Sequence, residues 1–469
     1  MYGGKMGNRV REESSRVLLH NVTLGRETPE GIELTNQYQQ VLSLVQKGER
    51  AVLVLGSAGT GKSTLVRYLS HEIAKEKNLA VVAPTGVAAL NVGGMTIHKM
   101  FGFPPRFIMP DEVREIPPQY RELWSHLDVL IIDEISMVRA DLLDGIDAFL
   151  RVNREKKDEP FGGTQVVMVG DLFQLPPVVT SRERVLLREY EYKSEWFFAS
   201  KVCKGLGCKI VNLDRVFRAT DPALSDVLNK LRKGSSIDEA IYILNRQCLH
   251  REMGVGAVSL RCRRDEVDEF NKKKLSSLNG RIRKYKGEFE GEFELKEDTL
   301  PTPYVLSLKV GAQVMFTKNY GNLWVNGTIG IVQELGKYKV VVTIPEDRKH
   351  LSAIEVPKLS WTCYKYEFNA GEGRILAEAA GTYTQYPLML AWAVTIHKSQ
   401  GKTLNAAEID FGRRGAFAPG QAYVALSRCR RLDQISLVRE VRAADIGISH
   451  HVLDFCERYK IKDRGTCYR

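Results

Sequence analysis

The run Gly56-Ser57-Ala58-Gly59-Thr60-Gly61-Lys62-Ser63 fits the template G-x-x-x-x-G-K-[ST] at every position, and no other stretch restricts the fold as much. Such a turn works only between a buried strand and a helix. Ala51 to Leu55 is a short apolar run that reads as the strand, and Thr64 to Ala74 carries the helical rhythm Leu65, Leu69, Ile73. The glycines let backbone N–H groups curl round a β-phosphate. Lys62 then reaches the β- and γ-phosphates, and the Ser63 hydroxyl can ligate Mg²⁺. A nucleoside triphosphate site on a parallel α/β sheet is the prediction.

A second run, Asp128-Val-Leu-Ile-Ile-Asp133-Glu134, is an apolar strand that ends in two carboxylates. After a P-loop in the same chain, Asp133 suits Mg²⁺ held through water, and Glu134 suits the general base that polarises an attacking water. Acidic residues at a strand end also cap helices, but Ser136 is already placed for that task. Hydrolysis of the triphosphate is therefore expected.

At 469 residues the chain exceeds one core and predicts two to four domains. Its longest strongly apolar stretch, Pro387 to Ile396, is far too short to span a bilayer, and no secretory signal opens the chain, so no membrane partner is expected. The eight cysteines form no C-x-x-C pair and read as reduced thiols of a cytosolic protein. Lys and Arg outnumber Asp and Glu by 68 to 57, a net charge of +11 that favours a polyanionic partner.

The fold class expected is α/β, with two P-loop-type α/β domains, a small insertion in the first and a small β-barrel inserted in the second. Residues 1–31 read as a flexible leader. The first domain takes residues 32–99 and 125–205, interrupted by a Pro- and Phe-rich wedge-like insertion at 100–124. The second takes residues 206–280, opening on the apolar run at Cys208-Lys-Ile-Val-Asn-Leu, and 385–445, and 446–469 is a tail. Between its halves, residues 281–384 alternate short β runs with Gly and Asn turns, the pattern of a small all-β barrel. The barrel opens on Arg281-Ile-Arg-Lys-Tyr-Lys286, which is either a DNA grip or a solvated charge run.

Gly170-Asp171-Leu-Phe-Gln174 follows the third strand signal of the first sheet, where a glutamine can sense a γ-phosphate. Arg218 and Arg428 lie in the second α/β block, from which an arginine can be delivered onto that phosphate in the transition state. Together with Ala83-Pro-Thr-Gly-Val-Ala-Ala89, Thr96-Ile-His98-Lys99, Pro160-Phe-Gly-Gly-Thr-Gln165, Lys309-Val-Gly-Ala-Gln-Val-Met315, Asn326-Gly-Thr-Ile-Gly330, Thr395–Leu404 and Tyr423–Arg428, these runs resemble the Pif (petite integration frequency) family of superfamily-one DNA helicases over residues 32–440.

The resemblance implies two RecA-like domains with ATP and Mg²⁺ in the cleft between them, and 5′→3′ translocation on single-stranded DNA. It implies unwinding of duplex or structured DNA, including G-quadruplexes, in repair, recombination and telomere maintenance. Lys62, Ser63, Asp133 and Glu134 would serve ATP and Mg²⁺, while Gln174, Arg218, Arg428 and Gly401 would read the γ-phosphate. Thr85, Thr96, His98, Lys318, Asn319, His397 and Ser399 would touch the DNA strand, with Phe101 or Phe103 either stacking on a base or packing within the insertion. The partners implied are single-stranded DNA, single-strand/duplex junctions and single-strand-binding, replication or repair proteins. The working form is a monomer or a DNA-induced dimer, in the cytoplasm on the nucleoid of a bacterium or phage.

Two departures stand out. The family's adenine-reading glutamine falls four residues after a leucine, where this chain has Tyr38 after Leu34, flanked by Gln37 and Gln39 as the two candidates for that role. Where relatives carry Thr-Asn, this chain has Arg263-Arg264, which predicts an ionic DNA contact with a steeper salt dependence. The rival readings are a helicase subunit of a RecD-type nuclease complex and an ATP-binding switch that does not move.

Overall fold

The computed structural model describes residues 33–217, 221–234, 236–293, 300–321, 323–344 and 353–461. The expected leader, Arg218 and the last eight positions lie outside them.

The apolar runs β1 (Ala51–Gly56), β2 (Leu79–Ala83), β4 (Val129–Ile132) and β5 (Gln165–Gly170) are buried at every position. Strands so uniformly apolar need cover on both faces, and they form the centre of a parallel sheet. With β3 (Met95–Thr96) and β6 (Lys209–Leu213) the order is β3-β2-β4-β5-β1-β6. The helices Asn36–Gln46 and Lys62–Ile73 pack on one face through Val41, Val45, Leu65 and Leu69, and Ala140–Asn153 packs on the other through Leu143, Ile146 and Phe149. All the expected phosphate-site residues of this domain follow the C-terminal ends of β1, β4 and β5, where such sheets bind ligands.

The membership of β6 corrects a boundary. The run at 209–213 was expected to open the second domain, yet it pairs in parallel with β1 from Val52–Lys209 to Gly56–Leu213. Parallel pairing with a strand some 150 residues earlier leaves no mark on local periodicity, so the first domain runs on through Leu213.

The second sheet is also parallel and joins β7 (Val258–Arg261), β8 (Ala393–Thr395), β9 (Ala407–Asp410) and β10 (Ile435–Leu437) in the order β8-β7-β9-β10. The run from Pro387 does not resume this sheet at once. Leu388–Leu390 pairs antiparallel with Gln313–Phe316 in the insertion, and the second domain returns only at Ala393.

The insertion holds a five-stranded antiparallel sheet packed over its own core of Val314, Phe316, Trp324, Val332 and Val342. Its longest strands, Leu359–Asn369 and Arg374–Gln385, form a hairpin that leaves this core and docks on the first domain. β3 covers only Val82 and Ala83 of its neighbour β2, and Tyr366 bonds what is left: Val81 N–H donates to its hydroxyl (2.9 Å), which donates to Val81 O (3.3 Å). Ile375 N–H donates to Asn78 Oδ1 at 2.8 Å, and Phe368 stacks on His126 at 3.8 Å. The basic run at 281–286 is the solvated kind. Arg283, Lys284 and Lys286 are exposed around buried Tyr285, and none of the six lines the central cleft.

The segment read as an excursion and the one read as a tail both pack on the first domain. Within 100–124, Phe101, Phe107, Ile108 and Trp124 are buried. Ile108 N–H and Ile116 N–H are bonded to Asp141 and Asn153 of the helix Ala140–Asn153. Pro104, Pro105 and Arg106, and much of 111–122, including Tyr120, remain exposed. The expected tail contains the helix His450–Arg458, which returns to the first domain, buries Val452 in its core and stacks Phe455 on Phe198 at 4.4 Å.

Candidate functional site

The P-loop is shaped from beneath by a residue that took no assigned role. Gly61 stands at φ +81°, and a Cβ there would lie 2.2 Å from the Tyr38 hydroxyl, so only glycine fits. That hydroxyl donates to Gly61 O at 2.8 Å, and burial pushes Tyr38 up to about 12. Gln37 donates to Asp214 at 2.6 Å and Gln39 is exposed, so the position four after Leu34 braces the P-loop. Lys62 Nζ donates to Gly56 O and Ser57 O (2.9 and 3.0 Å). Thr60 is buried and bonded to Ser57 O, and Ser63 is exposed at the helix start beside Thr64.

The acidic pair sits across the same cleft. Glu134 is held at φ +49°, a left-handed conformation that costs a non-glycine residue energy and that the turn after β4 imposes. Burial, then the neighbouring Glu134 charge, pushes Asp133 up to about 7, and burial raises Glu134 as well. The sign follows from proton counting. Folded protein keeps the Asp133 proton up to about pH 7, whereas the unfolded chain releases it near about 4, so stability falls as pH rises across that window. Melting temperature should therefore decline between roughly pH 4 and 7, with a shallower decline in Asp133→Asn; identical slopes would exclude Asp133 as the titrating group.

A network joins the two domains at the phosphate site. Gln174 Nε2 donates to Asp171 (3.0 Å), and its Oε1 accepts from Gln400 Nε2 (3.0 Å), which also reaches Glu134 at 3.3 Å. The P-loop amide of Ala58 donates to the Tyr423 hydroxyl at 3.1 Å, and that hydroxyl lies 3.3 Å from Asp171. Arg232 packs over the Tyr423 and Phe173 rings and pairs with Asp171 at 3.4 Å. Gln400, Tyr423 and Arg232 come from the second domain and were not singled out in the sequence. Gln400 and Tyr423 lay within quoted motifs and could have been found; Arg232, on a helix with ordinary amphipathic spacing, carried no signal.

Arg428 is held within the second domain. It is 1% exposed and donates to Val424 O, Ser399 O, Lys402 O and the Ser427 hydroxyl. These bonds brace the Ser399–Lys402 segment, and the Arg428 charge stands near enough to the acidic pair to pull Glu134 down against its burial. Gly401, in that segment at φ +77°, lines the cleft.

The cleft measures about 3460 Å³ and is walled by both α/β domains and the insertion. Thr85, Thr96, His98, Arg263, Arg264, Lys318, Asn319 and His397 all line it. Thr85 and Thr96 cap short helices by accepting from Ala88 and Lys99, which leaves each hydroxyl proton available to a phosphate oxygen. Burial lowers His98 and His397, favouring neutral imidazoles. Lys318 stands over the Trp361 ring, and Lys402, lowered to about 8 by burial, adds an ammonium beside Met315. Ser399 is not there: it is fully buried, and its hydroxyl donates to Ile396 O at 2.7 Å. Phe101 is 4% exposed, stacked on Phe103 and packed edge-on to Phe149, so it presents no face to a base; Phe103 is packed against the same rings.

Residues 33–239 match the family model described as PIF1-like helicase. The chain is 33% identical to the yeast Saccharomyces cerevisiae ATP-dependent DNA helicase RRM3 over 92% of its own length and 68% of that protein's. It is 33% identical to the ATP-dependent DNA helicase Pif1 of Bdellovibrio bacteriovorus, over 87% of this chain and 88% of that one. Against vertebrate proteins named PIF1 it spans only 60 to 66% of their length. The crystal structure of a Bacteroides Pif1 with ADP-AlF4 superposes with a TM-score of 0.83 at 37% identity, covering 92% of this chain and 98% of that one. Bound to single-stranded DNA, that same relative superposes less closely, with a TM-score of 0.65.

Proposed function

Because the chain belongs to the PIF1-like helicase family, we propose that it is an ATP-dependent DNA helicase that tracks along single-stranded DNA in the 5′→3′ direction and separates duplexes at junctions. The observation that carries this reading is the bonded path across the cleft, from Ala58 to Tyr423 and from Glu134 through Gln400 to Gln174. Groups that meet the triphosphate in one domain are tied to the Thr395–Lys402 segment of the other, and that segment also carries His397 and Lys402 into the groove. A change of phosphate state thereby shifts the groove walls relative to each other.

ATP lies on the P-loop, with Lys62 released from its loop carbonyls to the phosphates. The donor set fits Mg²⁺: the Ser63 hydroxyl and the buried Asp133 carboxylate are hard oxygens, and a carboxylate that burial and the Glu134 charge raise to about 7 is one that a divalent cation would discharge. Bound there, the ion supplies charge neutralisation of the phosphates. Glu134 accepts the proton of the attacking water, and Gln400 orients its carboxylate. Threonine hydroxyls and neutral imidazoles hold sugar and phosphate without reading sequence.

Duplexes carrying a 5′ or a 3′ single-stranded tail test the reading. ATP-dependent unwinding of the 5′-tailed duplex, with the 3′-tailed one left intact, is the expected result. Faster opening of the 3′-tailed duplex overturns the polarity, and opening of neither overturns the motor.

A further inference from the structure

Of the two rings weighed between stacking and packing, Phe101 is buried and Phe103 is packed on it, but another ring is presented. Phe417 is 57% exposed and, among the described residues, is the one exposed aromatic side chain that lines the cleft. Exposed apolar side chains are common and alone mean little. This one is held. Its backbone N–H donates to Gln421 Oε1 at 3.0 Å, and Gln421, fully buried, donates in turn to Cys262 O at 3.4 Å. The loop is thus pinned to the end of β7, and the ring stands at a fixed place.

Its neighbours complete a site for a flat, anionic ligand. The Arg263 guanidinium carbon lies 5.2 Å from the Phe417 ring centre, within cation–π range. Arg263 Nη1 is buried with no hydrogen-bond partner, an orphaned charged donor that asks for an acceptor. The His397 ring is nearly parallel to Phe417, at 14° with centres 6.0 Å apart, and burial keeps it neutral. A nucleotide offers both things this cluster lacks: a π-face for the exposed ring and a phosphate oxygen for the arginine.

We propose that Phe417, flanked by Arg263 and His397, is a nucleobase-stacking station of the second domain, on which one base of the tracked strand rests while Arg263 takes its phosphate. The proposal rests on the helicase reading. The Arg263 departure then has a purpose: the arginine clamps both the ring and the backbone, which a threonine cannot do.

The probes are oligothymidylate and an oligomer of equal length whose central residues are abasic, so that phosphates are conserved and bases removed. Wild-type protein should bind the first roughly 5- to 150-fold more tightly, the span expected for losing one stacked base. Phe417→Ala should remove most of that preference, and Phe417→Trp, which keeps a ring and reports a folded loop, should retain it. A 2-aminopurine scanned along the oligomer should be quenched at one position by wild type and regain emission there in Phe417→Ala. An unchanged preference in Phe417→Ala, or a lost one in Phe417→Trp, overturns the station alone. Wild-type protein that binds neither oligomer overturns the helicase reading beneath it.

Discussion

Lys62→Ala is expected to lower ATP hydrolysis by roughly 10³-fold or more, the scale on which a charged transition-state donor acts in a dry site. Lys62 is the cation set among Asp133, Glu134 and Asp171, and burial lowers its pKa against their pull. Removing it leaves the acidic wall without its counter-charge, so phosphates meet repulsion where they met attraction. Single-stranded DNA affinity should change by no more than a factor of a few, because Arg263, His98, His397 and Lys318 lie elsewhere in the cleft. Steady-state turnover and fluorescence anisotropy on a labelled oligomer separate the two effects. Near-normal turnover would remove Lys62 from the chemistry.

Glu134→Gln is expected to do something different. The amide keeps the size of the carboxylate, and its oxygen can still accept from Gln400 at the 3.3 Å geometry seen here. Only the capacity to take a proton is lost. A general base contributes about 10²- to 10⁴-fold, so kcat should fall by that amount while ATP affinity persists. Such a variant should hold ATP and DNA together, detectable as slow release of labelled DNA in the presence of ATP. If ATP binding collapses along with kcat, the left-handed turn at Glu134 has been disturbed, and the general-base role gains no support.

The parts of this site that were legible in the sequence are those written in contiguous residues. Gly56–Ser63 encodes a turn, a helix start and the phosphate-site groups, and Asp128–Glu134 encodes a strand and its two carboxylates, each in one contiguous run, so local pattern and chemistry coincide. What escaped reading depends on which surfaces meet. Phe101 and Phe417 are both phenylalanines in loops or helix ends near cleft-lining histidines, and nothing in sequence separates the one packed against Phe149 from the one left in the cleft. Arg428 has the composition of a phosphate-reading arginine, but the carbonyls of Val424, Ser399 and Lys402 converge on it only once the chain is folded. The Ala58–Tyr423 bond joins residues 365 apart, and no periodicity can announce it.

The return of the chain to its first domain bears on how the protein is made. The core behind the P-loop sheet is completed by Tyr366 and Ile375 of the long hairpin and by Val452 of the last described helix, with Phe455 and Ile461 packed against it. A nascent chain therefore cannot seal its nucleotide-binding half when that half leaves the ribosome. Synthesis must first deliver the second domain, the insertion and the helix His450–Arg458. Until then Phe198, Cys203 and the edge of β2 stay open to water and to other chains. The two halves are consequently a single product of translation, and a truncation near residue 445 injures the part of the molecule encoded first.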